Sequence, residues 1–577
     1  MRNNQLIRSV LRRNLGAAVL GMAVSSMNTI IDAFLMGNLL GPDALSAVNL
    51  SMPLNYALVA IQCILASGAS LLVSKKLGER KNREADEIFT VSLVSILAVG
   101  AILMLLASRI AGPIAGVLCR SGDLADSVRE YCRVEILCST VIMMQIALSS
   151  FAQRAGNPKI VLKANSASLV INILMDVVYV RLLNLGIGGA ALATGTGALA
   201  ACAATIPFFM KEKPLHLRLP GIRGLKILTE NMGTGVAGAL QSVSVSILSF
   251  VLNYFIERRE GPDGVFVLSV GMNFLSFALF FVMGVQNIYT SMGSMMHGQG
   301  DDTGLKMLLR SAMRISVPTT LVIVLIQILI PGPLASAFGA RTEAQLAMAS
   351  YGLRIMSLYS LPLCLLLMMV SDYQVLGYFT LASGASAGMI GMLPLCMWLA
   401  EIAMPVPWIW AAMPLSAVLT LLLMLATSEF YRRRASEKLQ VFTLMPEDPD
   451  PKEIFEGTVA LQQGNTESFR NFTEQTVPFF ESLKIDRMRS ARIRLCMEEM
   501  LDYIVRQSRK KNEVADVRIA AAEDEVHILI RDNLPPYNLL AAEDHDTNRR
   551  ILEAFCPKMD YRYTFMQNVN ILEWKLE

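Results

Sequence analysis

The first 430 or so residues alternate between long apolar runs and short polar connections. About 20 apolar residues in a row are enough to cross the hydrocarbon core of a bilayer as a helix. Twelve runs reach this length, at 14–38, 46–73, 87–108, 131–153, 159–182, 187–210, 229–256, 265–290, 309–330, 345–371, 378–402 and 405–430. The pattern predicts an all-α polytopic membrane protein with about 12 transmembrane helices.

The pattern changes after 432-RRR-434, where the apolar runs end. Residues 436–453 include the Pro- and acid-rich stretch 445-MPEDPDPKE-453 and are typical of a linker. Beyond the linker, the periodicity predicts helices around 465–483, 487–509 and 544–556, and strands near 514–521, 525–531, 561–567 and 569–576. Residues 454–577 are therefore expected to form a small, soluble α+β domain.

Composition agrees with a membrane protein and argues against several other classes. The chain is 53% hydrophobic and 17% charged, with a mean hydropathy of +0.46, which is too apolar for a soluble protein of 577 residues. The net charge of +3 does not favour a nucleic-acid partner. The 9 cysteines and 4 histidines show neither a CxxC pair nor a metal-ligand spacing, so we expect no metal or redox centre.

Basic residues are distributed unevenly between the two sides of the predicted membrane. They concentrate at the N-terminus, in the loop 75-KKLGERKNR-83 and in 432-RRR-434. Lys and Arg are enriched in loops on the cytoplasmic side. We therefore expect a multi-pass protein of the cell (inner or plasma) membrane with both termini in the cytoplasm.

The two halves of the apolar region resemble each other weakly. The stretch 15-LGAAVLGMAVSSMNTIIDAFL-35 aligns with 232-MGTGVAGALQSVSVSILSFVL-252, and the region around Gly156 aligns with that around Gly377 at almost the same offset. Internal repeats are typical of transporters with a binding site between the halves. We therefore expect two six-helix, pseudo-symmetric lobes, residues 1–215 and residues 216–435.

Ionisable side chains inside a membrane span are costly, and they indicate functional sites for that reason. Asp32 in the first run and Asp176 in the fifth lie well inside their runs. Glu135, Asp372 and Glu401 lie nearer the ends of theirs, where we expect headgroup water to reach them. Asp32 and Asp176 are thus the main candidates.

Asn172 and Thr194 add further oxygen atoms to this candidate site. Asn172 precedes Asp176 by one helical turn and shares its face, and Thr194 lies in the next run. Carboxylate, amide and hydroxyl oxygens suit a hard monovalent cation, and a desolvated carboxylate can also hold a proton near neutral pH. We predict a cation-binding site for Na⁺ or H⁺, with Na⁺ bound at Asp32, Asn172 and Asp176 if it is the coupling ion.

The repeat places uncharged residues at the equivalent positions of the second half. The positions over Asp32, Asn172 and Asp176 are, in that order, Ser249, Leu393 and Met397. We therefore expect any cation site to lie in the first half alone.

Three stretches resemble the multidrug and toxic compound extrusion (MATE) family. They are 32-DAFLMGNLLGPDALSAVNLSMPL-54, 68-GASLLVSKKLGERKNREADE-87 and 153-QRAGNPKIVLKANSASLVINILMDVVYVRLLNLGIGGAALATGTG-197, within a resemblance that covers roughly residues 10–432. The resemblance implies a Na⁺- or H⁺-coupled antiporter that works by alternating access. It carries the family's N-lobe cation site onto Asp32, Asn172, Asp176 and Thr194. The seventh and tenth helices lack the acids that some members have there.

The C-terminal region is similar, more faintly, to the GHKL ATP-binding fold of anti-sigma-factor-type serine kinases. The resemblance covers 493-IRLCMEEMLDYIVRQS-508 and 526-VHILIRDNLPPYNL-539 and implies Glu498 or Glu499 as the catalytic acid and Asp532 as the adenine contact.

This region also departs from the GHKL pattern. Tyr503 replaces the Mg²⁺-binding Asn, Leu534 replaces a Gly, and 546-DTNRRILEAF-555 replaces the Gly-rich lid. These departures argue against ATP binding and phosphoryl transfer. We expect a degenerate regulatory or protein-binding domain.

Three functions are compatible with these features. The first is a cation-coupled antiporter that exports organic cations, drugs or other small xenobiotics; it would need the bilayer, a small organic substrate and no cofactor beyond the coupling ion. The second is a flippase for lipid-linked precursors, although few Lys or Arg lie inside the runs. The third is a membrane-tethered regulator whose C-terminal domain binds a cytoplasmic protein partner. None of the three makes the chain an enzyme.

Overall fold

The computed structural model describes residues 2–119, 122–337, 343–403, 406–435, 439–440, 443–445, 454–461, 467–509, 513–522, 525–539 and 547–575. The chain divides into two compact units. The membrane unit comprises residues 15–301 and 309–445, and the sheet unit comprises residues 1–14, 302–308 and 446–577. Most of the predicted linker, 436–453, lies outside the described residues.

The first half of the apolar region is helical from the N-terminal segment onward. Its helices are α1 (Gln5–Leu39), α2 (Pro42–Gln62), α3 (Gly68–Gly78), α4 (Asn82–Leu118), α5 (Gly122–Arg154), α6 (Pro158–Asp176) and α7 (Gly186–Lys211). Two π-helical segments, Cys63–Ser67 and Val177–Leu182, follow α2 and α6 without a break.

The second half is built in the same way. Its helices are α8 (Gly224–Gly298), α9 (Asp302–Leu329), α10 (Pro331–Ala337), α11 (Glu343–Ser357), α12 (Ser360–Leu376), α13 (Phe379–Ala403) and α14 (Ala412–Arg434). Short 3₁₀ turns occur at Gly221–Arg223 and Val406–Ala411. A left-handed Gly261, with φ of 66°, divides α8 into two spans.

Among the described residues, 11 helical segments are long and apolar enough to cross a membrane. Each overlaps one predicted run, from the second to the twelfth, so the helical polytopic fold is confirmed. The first predicted run, 14–38, lies within α1. Predicted ends are less accurate: the span predicted from residue 131 begins at Leu124, because hydropathy detects the apolar part of a helix and misses its polar ends.

The two halves of the membrane unit meet along α3 and α8. Gly68 and Gly298 lie so close to the opposite helix that a Cβ at either position would overlap backbone atoms, of Gly235 and of Lys75 respectively. Small residues let helix backbones approach closely within a membrane. The halves are therefore in direct backbone contact along this seam.

The sheet unit contains a five-stranded antiparallel sheet in the order β1-β2-β3-β5-β4. Its strands are β1 (Ile454–Leu461), β2 (Glu513–Ala522), β3 (Glu525–Asp532), β4 (Lys558–Thr564) and β5 (Gln567–Lys575). Its helices are α15 (Glu467–Gln475), α16 (Val477–Ser482), α17 (Arg487–Gln507) and α18 (Thr547–Phe555). The helices and one face of the sheet share an apolar core that includes Phe480, Ile504 and Ile528.

Two features of this unit differ from the sequence prediction. The strand β1 was not predicted, and the helix predicted at 465–483 is two helices, because Pro478 begins a new one at its first turn. Positions 465–466, 544–546 and 576 of the predicted elements lie outside the described residues.

Candidate functional site

The predicted cation-site residues Asn172 and Asp176 lie on one face of α6, one turn apart. Each is only 1% exposed. The π-helical segment Val177–Leu182 begins directly after Asp176. Such segments replace the regular i→i−4 hydrogen bonds and occur frequently at functional sites. The local backbone is therefore irregular at the carboxylate.

Asn172 connects the side chain of Asp32 to α7. Its nitrogen donates to one carboxylate oxygen of Asp32, and its oxygen accepts from the backbone N–H of Thr194 at 3.2 Å, in the amide orientation that gives both atoms a partner. The Asn172 amide is also 3.4 Å from the Thr194 hydroxyl. Asn28, one turn before Asp32, donates to the other carboxylate oxygen at 3.4 Å. The structure thus brings α1, α6 and α7 together at these side chains.

Asp176 completes this group, which we call the polar cluster: Asp32, Asn172, Asp176 and Thr194. The carboxyl groups of Asp32 and Asp176 are close enough to interact electrostatically. No donor among the described residues reaches the buried Oδ2 atom of Asp176. Two adjacent carboxylates cannot both be ionised in a low-dielectric site without a compensating positive charge. The arrangement is therefore suited to a proton or a monovalent cation.

Glu135 of α5 corrects one sequence expectation. It was placed near a span end with access to water, but it lies 11 residues inside the span Leu124–Arg154 and is 4% exposed. The helix starts earlier than its apolar run, so the position of Glu135 relative to the membrane was misjudged. Asn55 of α2 donates to its Oε1 atom at 3.0 Å.

Tyr131 was missed by sequence reasoning. It lies one turn before Glu135 and is within electrostatic range of Asp32, Asp176 and Glu135. The four-residue spacing on α5 was a readable signal, since it puts Tyr131 and Glu135 on one helix face.

Asp372 of α12 corrects a second expectation. It is 2% exposed, and the hydroxyl of Tyr289 in α8 donates to its Oδ1 atom. Helix packing therefore keeps water away from it, although it lies only one turn from the end of its span. Of the positions equivalent to the polar cluster, Leu393 and Met397 are buried in an apolar core, and the side chain of Ser249 lies outside the described residues.

The predicted acids of α17 bind neighbouring side chains. Thr473 donates to Glu498 at 2.6 Å. Asn548 of α18 donates to Glu499 at 2.8 Å and to Asp502 at 3.1 Å. Burial raises the pKa of Glu499, and the nearby Asp502 raises it further. The predicted catalytic acids thus hold α15 and α18 against α17.

Asp532 is fully buried at the end of β3 and is surrounded by donors. It accepts from the hydroxyl of Tyr537 at 2.5 Å, from Asn568 at 2.7 Å and from the backbone N–H of Leu534 at 3.0 Å. Burial raises the pKa of Asp532 to about 6, and these donors oppose the rise. The ring of Tyr537 packs edge-on to that of Tyr503, the residue at the Mg²⁺-ligand position.

Comparison with known proteins places these observations in a family. The sequence profile of the MatE family matches residues 17–178 and 238–394, more than half of the chain. The multidrug export protein MepA of Staphylococcus haemolyticus is 24% identical over 269 residues, and MepA of Staphylococcus aureus strain MRSA252 is 24% identical over 272 residues. Each alignment covers 46% of this chain and 59% of the relative's length.

Solved structures of low sequence identity share the fold. A MOP superfamily transporter from Pyrococcus furiosus aligns with a TM-score of 0.66 at 19% identity, over 74% of this chain and 96% of that one. A variant of the Vibrio cholerae MATE transporter VcmN aligns with a TM-score of 0.69 at 18% identity, over 74% and 98%. An outward-facing multidrug resistance MATE family transporter aligns with a TM-score of 0.68 at 18% identity, over 74% and 96%.

Proposed function

The chain belongs to the MatE family, and from that premise we propose that it is a cation-coupled antiporter that exports organic cations, drugs or other small xenobiotics by alternating access. The proposal rests mainly on one observation: the carboxyl groups of Asp176, which is 1% exposed, and of the half-buried Asp32 lie together beside Asn172 and Thr194. The relatives named as multidrug export proteins support it, although the alignments span only 59% of their length.

In the proposed cycle, H⁺ or Na⁺ enters the polar cluster from outside and neutralises the carboxyl pair. Neutralisation removes the repulsion between Asp32 on α1 and Asp176 on α6, and so changes how these helices pack. The packing that results favours release of the substrate outward. The proposal includes two six-helix lobes and both termini in the cytoplasm, as the basic loops indicate.

The test is efflux of a fluorescent organic cation from vesicles that contain the purified full chain, under an imposed pH gradient and, separately, a Na⁺ gradient. Asp32→Asn and Asp176→Asn should each reduce gradient-driven efflux to the leak rate. Glu401→Gln is the matched control, because this acid lies at a span end and pairs with Arg258 at 3.2 Å. Coupled efflux that survives both Asp substitutions would refute the proposed coupling site.

For the C-terminal domain we propose a degenerate, GHKL-like regulatory role without phosphoryl transfer. Asp532 already accepts three hydrogen bonds from its own unit, and its Tyr537 partner packs on Tyr503. An adenine amino group would have to displace one of these donors. Mg-ATP should therefore leave the melting temperature of the full chain unchanged, and a clear stabilisation would contradict this proposal.

The flippase alternative finds less support. A lipid-linked pyrophosphate would need a cationic cavity, whereas the polar cluster and the neighbouring Glu135 are acidic.

A further inference from the structure

The sheet of the sheet unit has two buried faces. One face packs on helices through side chains such as Val517 and Ile530. Alternate residues point to the other face, where Asp516 is 3%, Arg531 2% and Leu529 8% exposed. An antiparallel sheet covered by helices on one side commonly leaves its second face to water. These positions of the second face are buried instead.

Residues 2–14 of the same unit lie against this second face at the edge strand β1. The side chain of Arg2 is 3.1 Å from Asp516 and 3.7 Å from Glu456, and the side chains of both Arg2 and Asp516 are only 3% exposed. The backbone N–H of Asn3 donates to the hydroxyl of Thr458 at 2.8 Å. Burial raises the pKa of Asp516, and the Arg2 guanidinium opposes the rise. Arg2 therefore supplies a positive charge to a carboxylate that is shielded from water.

A second group of contacts holds the other end of the segment. Arg13 donates to the backbone oxygen of Asn533 at 2.6 Å, and the Asn533 side chain donates to Ser9 at 3.0 Å. Asn14, which is 0% exposed, donates to the backbone oxygen of Phe565 at 2.7 Å. The segment is thus fixed at both ends, by side chains three to four helical turns apart.

The turn that receives Asn14 has an unusual backbone. Phe565 and Met566, between β4 and β5, both have positive φ, 53° and 57°. Such turns normally use Asn or Gly, because bulky residues are disfavoured in this conformation. Strained residues persist where the surroundings hold them, and they occur at binding sites. Phe565 is 1% exposed, which agrees with a turn held in place by its contacts.

We infer that the second face of this sheet is a binding site for the basic N-terminal segment of its own chain, and that its grip on residues 2–14 regulates transport. The regulatory half of the inference rests on the proposed function. The helix α1 is continuous from Gln5 to Leu39 and carries Asp32. Asn14 and Asp32 are separated by about 27 Å of helix at 1.5 Å per residue. A domain that holds one end of α1 can therefore bias the position of the carboxylate that the coupling ion must reach.

This assignment gives the C-terminal domain a partner within the chain. The contacts to residues 2–14 lie at the loop after Asp532 and at the edge of the sheet. The partner is therefore a short basic helix rather than a nucleotide. Arg2 pairs with a carboxylate, to which guanidinium groups make strong charge-assisted hydrogen bonds, and Arg13 donates to a backbone carbonyl oxygen.

The test uses the full chain with a change at each end of the segment. Arg2→Ala removes the pairs with Asp516 and Glu456, and Asn14→Ala removes the bond to Phe565. Each should speed amide hydrogen exchange in peptides from residues 2–14 about tenfold. Arg8→Ala is the matched control, because Arg8 lies in the same segment and is exposed. Arg2→Lys keeps the charge and should restore most of the protection.

The same variants are then assayed for gradient-driven efflux. We expect Arg2→Ala and Asn14→Ala to change the efflux rate at least about threefold, in the same direction, while β2 and β3 stay protected from exchange. Unchanged exchange in residues 2–14 would overturn the binding site. Faster exchange with wild-type efflux would overturn the regulatory half.

Failure of the proposed function gives a different result. If the wild-type chain exports nothing, the antiporter proposal is wrong, and so is the inference that residues 2–14 regulate transport. The hydrogen-exchange measurements still test the binding site for residues 2–14.

Discussion

Two buried carboxylates, one in each unit, have opposite surroundings. Asp532 in the sheet unit is 0% exposed and accepts hydrogen bonds from Tyr537, Asn568 and the backbone of Leu534. Asp176 in the membrane unit is 1% exposed, and within the described residues its Oδ2 atom meets no donor. The two side chains are buried to nearly the same extent, whereas their hydrogen bonding differs.

We propose that this difference separates a structural acid from a functional one. A buried acceptor without a donor costs about 1–3 kcal/mol, and more if it is charged. Asp532 avoids most of that cost through its three donors, which fasten the loop after β3 to β5. Asp176 keeps the cost, and a proton or cation that binds there relieves it. At Asp532 the protein's own donors relieve the cost of burying the acid. In the proposed function, the bound ion relieves the same cost at Asp176.

Removal of one donor amide from each of the two sites is the strongest test of this comparison. Asn568 donates to Asp532, and Asn172 donates to Asp32. Asn568→Ala should lower the free energy of unfolding of the sheet unit by about 3 kcal/mol, because it leaves a buried acid short of a donor. Asn172→Ala should instead reduce coupled efflux at least about tenfold and lower stability less, because the half-buried Asp32 keeps its hydrogen bond from Asn28. Pulse proteolysis in urea measures the first and vesicle efflux the second.

Exposed amides serve as controls for both substitutions. Asn471→Ala in α15 and Asn273→Ala in α8 remove exposed side chains of the same type. Neither should change the free energy of unfolding by more than about 0.5 kcal/mol, or the efflux rate by more than about twofold. If Asn172→Ala unfolded the membrane unit and left the efflux of the remaining folded protein normal, the functional assignment of the polar cluster would be wrong.

The pH dependence of stability provides a smaller test. The pKa of Asp532 is about 6 in the native state, above its ordinary value of 3.8. The native state therefore holds this proton more tightly, so its contribution is fully present below about pH 4 and is lost as pH rises through 6. The loss amounts to about 3 kcal/mol. Asp532→Asn imitates the protonated acid and should remove this part of the pH profile.

Pulse proteolysis of the purified full chain at pH 4.5, 5.5 and 6.5 measures this effect as the difference between wild type and Asp532→Asn. Taking the difference cancels other titrating groups, including Glu499, whose pKa burial also raises. If stability varied with pH in the same way in wild type and Asp532→Asn, the three donors would be keeping Asp532 ionised over this pH range. Asp532 would then differ from Asp176 even more than its burial indicates.

Sequence reasoning located the membrane helices because the bilayer imposes a length on every apolar run. It paired Asn172 with Asp176 because their spacing is local. Asp32 and Thr194 were candidates as polar residues of other runs, and the family resemblance placed them in the same site. Glu135 was misjudged because its helix begins at Leu124, before the apolar run, so that hydropathy placed Glu135 too near the end of the span. The strand β1 was missed although its alternation is readable: Val459 faces the core and Thr458 the second face.

Glu135 tests whether an incomplete set of donors identifies functional acids in general. Its Oε1 atom accepts from Asn55, but its buried Oε2 atom meets no donor in the part of the chain that the structure describes. Glu135 therefore resembles Asp176 more than Asp532. Through Tyr131 it is also within reach of the polar cluster. We expect Glu135→Gln to reduce coupled efflux about fivefold to tenfold, a smaller effect than loss of either Asp, because one oxygen already has a donor.

Glu130→Gln is the matched control on the same helix, since Glu130 is exposed. Vesicle efflux under the effective ion gradient and the melting temperature of the full chain distinguish the outcomes. Reduced efflux at an unchanged melting temperature would place Glu135 with Asp176. A lower melting temperature with normal efflux would place it with Asp532, and would show that a single missing donor is not enough to identify an ion-binding acid in this protein.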